Sequence, residues 1–462
     1  MFCWLPNRGL GASLFMVPLV VKKKNHFIGI SGTGMSAVAQ FLAFSGGKVS
    51  GSDRYFDQGR NLEVKTSLEK LGITISPQDG SGITEDTAEV VVSTAIEDTN
   101  PEMARAKELS LPVIHRSELL ARFVAEHTTI VVAGTSGKST VTAMVYEVLD
   151  AAGLSPSVIT GGNLIKLEEQ GHIGNAFKGT GRLLVIEGDE SDGSLTRYRA
   201  QTGLLLNMDK DHKELSELKG IFAAFIKNTG QVIINNHRPE LTALCPECPG
   251  FNHAQDIKLQ PDGSEFHVDG TAFSLPVPGQ YNVENALAAI AACREHGVEL
   301  PVIAEALKNY KGVARRFQKV GRKNGIMVID DFAHNPAKIA ASLTTAFLQG
   351  GRVLAVFQPH GFGSTRFLKN YLIAMFSQNL RKNDILYMPD IFYAGGTADK
   401  SISSKDIIDG VTAGGKKAVY CGNREGLLPV LKKESRSGDV ILVMGARDPG
   451  LPGFCRAVAD LL

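Results

Sequence analysis

Between a β-branched run and an amphipathic stretch the chain reads Gly134-Thr135-Ser136-Gly137-Lys138-Ser139-Thr140. A glycine turn feeding a helix start aims successive backbone N–H groups at one point and adds the helix dipole, so this segment predicts a phosphate cradle. Lys138 would bring a point charge to the β- and γ-phosphates, and Ser139 a hydroxyl within reach of Mg2+. Val132 stands where the strict form of the motif has its first glycine, but the flanking strand and helix supply the context the motif needs.

A triphosphate site needs a metal shell. Glu187, Asp189, Glu190 and Asp192 crowd the end of the run LLVIE, and Asp211-His212 follow the run LLLNM. Carboxylates at the C-terminal ends of parallel strands face the crevice where such sheets bind ligands. Mg2+ takes oxygen ligands, so one or two carboxylates with phosphates and waters suffice; a histidine beside it suits a second metal.

A second glycine turn, Gly29-Ile30-Ser31-Gly32-Thr33-Gly34, precedes another helical stretch, and Asp53 ends the strand after it. The order is G-x-x-G-x-G and not the dinucleotide order G-x-G-x-x-G. It predicts a diphosphate site at a helix start, with an acidic residue placed for a ribose hydroxyl, and not a nicotinamide site. Two phosphate sites in successive units imply two phosphorylated ligands, which favours a transferase or ligase over a simple ATPase. Further on, Asp330-Asp331-Phe332-Ala333-His334-Asn335-Pro336 ends a strand and enters a helix through proline. Arg315-Arg316 stand just before that unit, where an arginine could clamp a transferring phosphoryl group.

The elements that must position these residues alternate regularly. Strand, glycine turn, helix and strand run from residue 26 to 53, with strands at 89–94 and 112–115 and a helix over 101–109 between them. A second unit opens at TTIVVAGTSGKST and includes a β-rich excursion over 231–275. A third runs from Arg315 through GIMVIDDFA, a helix from Pro336 to Leu348, RVLAVFQPH, a helix around 366–380, DILYMPD, KAVYC and DVILVMGA. The pattern predicts α/β units with parallel sheets.

At 462 residues the chain is too long for one core, and its 49 glycines suit many tight strand-to-helix turns. A formal net charge of +1 excludes a global pull toward nucleic acid or anionic membrane, so phosphate binding must be local. The six cysteines show no framework spacing. Cys245-Pro-Glu-Cys248 is expected as two thiols in a reducing compartment, hence a cytoplasmic protein. The apolar run 9–21 is too short to span a bilayer and is read as an N-terminal extension or first strand.

HFIGISGTGMSAVA with VSGSD, VVVSTAI with NPE, GTSGKST, IEGDESDGSL, PGQYNVENALAAI, ARRFQ, DDFAHNP and FQPH follow one another from His26 onward. With these segments in this order, the chain resembles the Mur ligases of peptidoglycan synthesis. The resemblance implies three α/β domains. These are an N-terminal Rossmann-like UDP-sugar-binding domain (22–127), a central P-loop ATPase-like parallel sheet (128–314) and a C-terminal Rossmann-like domain that delivers the amino acid (315–462). It implies that the lactoyl carboxylate of UDP-N-acetylmuramate attacks the γ-phosphate of ATP and that an amine, by default that of L-alanine, then attacks the acyl phosphate.

By the same resemblance Gly32, Thr33, Gly34 and Met35 face the UDP diphosphate and Asp53 lies near the nucleoside. Gly134, Thr135, Gly137, Lys138, Ser139 and Thr140 hold ATP; Asn285 meets adenine, and Arg316 and Asp331 contact the nucleotide. Ser139, Glu187 and His212 bind Mg2+, and His334 sits near the incoming amine, leaving Lys138, Arg316 and His334 as the catalytic set. The chain departs from the alanine-adding members after FQPH, where arginines for the amino-acid carboxylate give way to Gly361-Phe362-Gly363-Ser364-Thr365-Arg366, and again at Ala394-Gly395-Gly396. A murein peptide or a different amino acid is therefore the alternative acceptor.

Overall fold

The computed structural model describes residues 23–191, 193–209, 214–251, 253–393 and 398–462. The apolar run 9–21, Asp192, Asp211-His212 and the segment 394–396 lie outside the described residues.

Three parallel-dominated sheets follow one another along the chain. The first comprises β1 (Lys24–Ile28), β2 (Lys48–Ser52), β3 (Thr74–Ser76), β4 (Thr87–Val92) and β5 (Val113–His115) in the order β3-β2-β1-β4-β5, all parallel. The second takes β6 (Thr128–Ala133), β7 (Ser157–Ile159), β8 (Ala176–Phe177), β9 (Leu183–Glu187), β10 (Thr202–Leu205), β11 (Gln231–Asn235) and β12 (Gly250–Phe251). Their order is β12-β11-β10-β6-β9-β7-β8, with only β8 antiparallel. β13 (Gln255–Gln260), β14 (Gly263–Val268) and β15 (Thr271–Leu275) make a separate antiparallel sheet. The expected 231–275 excursion is therefore split: β11 and β12 extend the main sheet, and only the rest is peripheral.

The last sheet holds β16 (Gln318–Lys323), β17 (Ile326–Asp331), β18 (Val353–Gln358), β19 (Ile385–Met388), β20 (Lys417–Tyr420) and β21 (Val440–Gly445), ordered β16-β17-β21-β18-β19-β20. β16 runs antiparallel to β17 at one edge, a strand the alternation pattern did not foretell. Central strands such as β6 and β21 are buried along nearly their whole length, as their unbroken β-branched and aliphatic sequences require when helices cover both faces.

Six helices matter for the site: α1 (Thr33–Phe44), α2 (Arg116–Glu126), α3 (Lys138–Ala151), α4 (Gln280–Glu295), α5 (Pro336–Phe347) and α6 (Phe362–Asn379). α5 begins as its sequence prescribes, with Asn335 capping the Lys338 N–H and proline in the first turn.

Packing divides the chain unevenly. One apolar cluster runs from Phe27 and Phe41 of the first sheet's unit through Phe123 to Leu184 and Phe222 of the second. A polar bolt reinforces it: buried Asn175 accepts from Gln40 at 2.7 Å and donates to Thr33 O and Ser36 Oγ at 2.8 and 2.9 Å. The last sheet's clusters draw only on residues from Phe317 onward, and its links to the central unit are polar, such as Lys319 to Asp262 at 2.8 Å. Apolar burial thus fixes the first two units to each other, while the third is attached mainly through the 312–317 junction and side-chain polar contacts.

Cys245 and Cys248 are bonded as a disulfide with Cα atoms 5.4 Å apart, which corrects the expectation of two thiols. The turn closing the Pro239–Leu244 helix brings the Cys248 N–H onto the Cys245 carbonyl, so the two side chains meet.

Candidate functional site

The turn after β6 is shaped by glycine where glycine is needed. Gly134 and Gly137 have φ of +139° and +84°, and a Cβ on Gly137 would lie 2.5 Å from Asn285 Oδ1 on α4. The side chain that braces the turn is Asn207, just beyond β10. Its Oδ1 accepts from Thr135 N, Thr135 Oγ1 and Ser136 N at 2.9, 2.9 and 2.8 Å, and its Nδ2 donates to Ser136 O at 3.1 Å.

Lys138 and Ser139 open α3. The Lys138 ammonium donates to Gly134 O and to Glu190 Oε2, both at 2.7 Å. Ser139 Oγ donates to Glu187 Oε2 at 2.9 Å, and the same carboxylate oxygen accepts from Thr160 Oγ1 and Gly161 N at 2.9 and 2.8 Å. The hydroxyl and carboxylate are thus adjacent at the strand ends, a hard-oxygen pair of the kind Mg2+ accepts when phosphates and waters complete its shell. Among the described residues no three His, Cys, Asp or Glu side chains gather as a metal site, and His212 lies outside them.

From the other side comes Arg316. Its neighbours Arg315 and Phe317 both hold positive φ, 60° and 49°, unusual for non-glycine residues and worth of order 1–2 kcal/mol each. Arg315 is pinned by Asp330 Oδ1 at 3.3 Å, Gly445 O at 2.6 Å and its own N–H to Gln318 at 3.0 Å. The kinked junction lays the Arg316 guanidinium 4.9 Å from the Phe332 ring centroid and 3.4 Å from Ser139 Oγ.

Asp331 ends β17 and is buried; it accepts from Ala333 N at 2.8 Å and Ser342 Oγ at 2.7 Å. Burial pushes its carboxyl above the ordinary range against the Ser342 hydroxyl and Arg316. His334 Nδ1 donates to Phe332 O at 2.9 Å, which in the neutral ring puts the lone pair on Nε2; its ring centroid lies 5.7 Å from that of His360.

These residues surround a cavity of about 360 Å3 whose walls include Lys138, Ser139, Glu187, Asn285, Arg316 and Asp331. A second, of about 610 Å3, shares Ser136 and His334 with it and continues along α6 past His360 to Phe367 and Tyr371. The other glycine turn lies at the C-terminal edge of the first sheet, where Asp53 accepts from Ser31 N and Tyr55 N, both at 2.9 Å. Asp53 thus shapes that turn and caps the next short helix; Gly32, Thr33, Gly34 and Met35 form the N-terminus of α1.

Sequence comparison matches three family descriptions in succession: the Mur ligase family catalytic domain over residues 24–128, the Mur ligase middle domain over 132–293 and the Mur ligase glutamate ligase domain over 315–447. The chain belongs to the Mur ligase family. Curated Mur ligases similar to it include the UDP-N-acetylmuramate–L-alanine ligase of Syntrophotalea carbinolica, 36% identical with 91% of this chain and 94% of that protein aligned. The enzyme of the same name from Cereibacter sphaeroides is 34% identical over 91% and 93% of the two chains. Among solved structures, the UDP-N-acetylmuramate-alanine ligase of Thermotoga maritima superposes with a TM-score of 0.78 at 29% identity, covering 95% and 98% of the chains. A murein peptide ligase from Psychrobacter arcticus, at 22% identity, TM-score 0.68 and coverage of 95% and 99%, shares the fold.

In this Mur ligase the sequence-predicted residues Thr135, Gly137, Lys138, Ser139, Thr140, Glu187, Asn285, Arg316, Asp331 and His334 line one cavity, with Gly134 behind them accepting from Lys138, whereas Gly32–Met35 and Asp53 form a separate place in the first sheet's unit. Arg366, the arginine left after FQPH, is drawn away: it pairs with Asp399 at 2.8 Å and Ser401 Oγ at 2.9 Å and is absent from the wall of the larger cavity. Asn207 was missed by sequence reasoning. Its only signal was its place after the strand beside β6, where a polar residue faces the phosphate turn.

Proposed function

We propose that this Mur ligase joins L-alanine to the lactoyl carboxylate of UDP-N-acetylmuramate at the expense of ATP, in peptidoglycan precursor synthesis. The observation that carries this reading is the meeting of Lys138, Ser139 and Glu187 with Arg316 around one cavity that opens, past His334, into a second.

The proposed sequence has two steps. A lactoyl carboxylate oxygen attacks the γ-phosphorus and the bond to the bridging oxygen of ADP breaks, giving an acyl phosphate and ADP. The amine nitrogen then attacks the acyl carbon, phosphate leaves with the bonding electron pair, and the nitrogen gives up a proton. Lys138 and Arg316 would stabilise the charge that spreads over the transferring phosphoryl oxygens, and the turn's N–H groups would orient the chain of phosphates. Asn285 would border the adenine, and Asp331 would hold the far wall in place. His334 lines both cavities, and its Nε2 would take the amine's proton. Ser139 and Glu187, with His212, would hold Mg2+, whose charge offsets the repulsion between carboxylate and phosphate. The turn of Gly32, Thr33, Gly34 and Met35, shaped by Asp53, would take the UDP diphosphate.

The domain limits 22–127, 128–314 and 315–462 and a cytoplasmic location, where ATP is supplied, belong to the same proposal. Among the described residues no helix is long and apolar enough to cross a membrane.

One observation favours a second reading of the acceptor. The larger cavity, about 610 Å3, far exceeds what alanine fills. A murein peptide or a bulkier amino acid would occupy more of that volume. Phosphate release with UDP-N-acetylmuramate across a panel of L-alanine, glycine, L-serine, aromatic amino acids and murein tripeptide separates the two. Preference for L-alanine supports the first reading, preference for a larger acceptor the second, and ADP release that ignores every acceptor overturns both.

A further inference from the structure

Arg116 opens α2 directly after β5, and its guanidinium lies across the start of α1. A Cβ built on Gly34 would stand 2.8 Å from its Nη1 and 3.2 Å from its Cζ, so only glycine fits at position 34 with the arginine in place. On the far side, Nη2 is 3.5 Å from Asp189 Oδ2, in the loop after β9. The next residue in that loop, Glu190, holds Lys138 at 2.7 Å. One loop therefore sets a carboxylate against a cation at each of the two glycine turns.

We propose that Arg116 is a ligand of the sugar-nucleotide diphosphate, kept in place by Asp189 and exchanging that carboxylate for phosphate oxygens on binding. This rests on the proposed placement of UDP at the 29–34 turn. A guanidinium forks onto a phosphate as it does onto a carboxylate, and its partner here is only partly buried, so the exchange costs little. The backbone N–H groups of the α1 start and the guanidinium would then grip the diphosphate from two sides. Asp189 is both its holder and its competitor.

This competition separates a ligand from a merely structural arginine. With the ATP cradle saturated by a non-hydrolysable ATP analogue and Mg2+, calorimetry measures UDP and uridine binding to the full chain. Arg116→Met is expected to weaken UDP about 10-fold or more and to leave uridine unchanged, with Arg116→Lys recovering part of the loss. Asp189→Asn is expected to tighten UDP about two- to fivefold, since the competing charge is gone. If both Arg116→Met and Asp189→Asn weaken UDP, or if Arg116→Met leaves it unchanged, the inference falls while the placement of UDP stands. If the unaltered chain binds no UDP, the placement fails and takes the inference with it.

Discussion

The Lys138 ammonium lies 2.7 Å from Glu190 Oε2, and Glu190 is 7% exposed, so the cation proposed to meet the γ-phosphate is held by a nearly buried carboxylate. Removing the lysine does two separable things. It deletes charge stabilisation, for which a loss of about 100- to 1,000-fold in kcat is expected. It also leaves Glu190 unpaired, at about 3 kcal/mol. Lys138→Met should therefore lower both phosphate release and melting temperature, while Lys138→Met with Glu190→Gln should restore the melting temperature and not the activity. Recovery of both together would disprove the phosphate role.

Asn207 fastens the phosphate turn through three accepted bonds of 2.8–2.9 Å and one donated bond of 3.1 Å. At about 0.5–1 kcal/mol net per bond, losing the four bonds in Asn207→Ala should cost about 2–4 kcal/mol in turn order, about a 30- to 900-fold fall in kcat/KM for ATP. KM for UDP-N-acetylmuramate should stay within about twofold, because a brace on one turn has no bond to the other. Steady-state kinetics with each substrate varied would show it; equal losses for both would mean a general loosening instead.

The alternation of strand, glycine turn and helix was legible because each α/β unit repeats the same local grammar. That residues around the phosphate turn would gather was legible where residue type and backbone coincide, as at Lys138, Glu187 and His334, which line one cavity. What the chain concealed were partnerships across it. Nothing local to Asn207 says that it closes on Thr135, 72 positions away. Nor does a CxxC with no neighbouring ligands announce a bond between Cys245 and Cys248. β16 escaped notice because its KVGRK run is a half-buried edge with no fully buried face to impose a period of two. Arg366 is the one arginine left in the segment after FQPH, and only the position of Asp399 shows where its charge goes.

Arg316 depends on geometry more than on charge. Its guanidinium lies over the Phe332 ring at 4.9 Å while reaching Ser139 Oγ at 3.4 Å, which an ammonium on a flexible stem cannot do together. Arg316→Lys should lower kcat about 10- to 100-fold although the charge remains. Arg316→Ala should lose little more than Arg316→Lys. Near-normal turnover by the lysine variant in a phosphate-release assay would show that charge alone is required.

Glu147 supplies a pH signature carried by α3, the helix that begins at the phosphate turn. The side chain is 5% exposed; Oε2 accepts from Lys311 N at 3.1 Å and, among the described residues, Oε1 has no partner. Burial raises its carboxyl from 4.5 to about 7, against the Lys311 hydrogen bond and nearby lysine charges. Between those values the folded chain holds a proton that the unfolded chain has lost, so stability falls as pH rises through this window and the full cost is reached above about 7. The displacement corresponds to about 3 kcal/mol. Glu147→Gln keeps the shape and cannot ionise. Its melting temperature should exceed that of the unaltered chain by several degrees at pH 8, and the gap should close toward pH 4.5. A gap that stays the same across this range would mean that Glu147 is not the group being titrated.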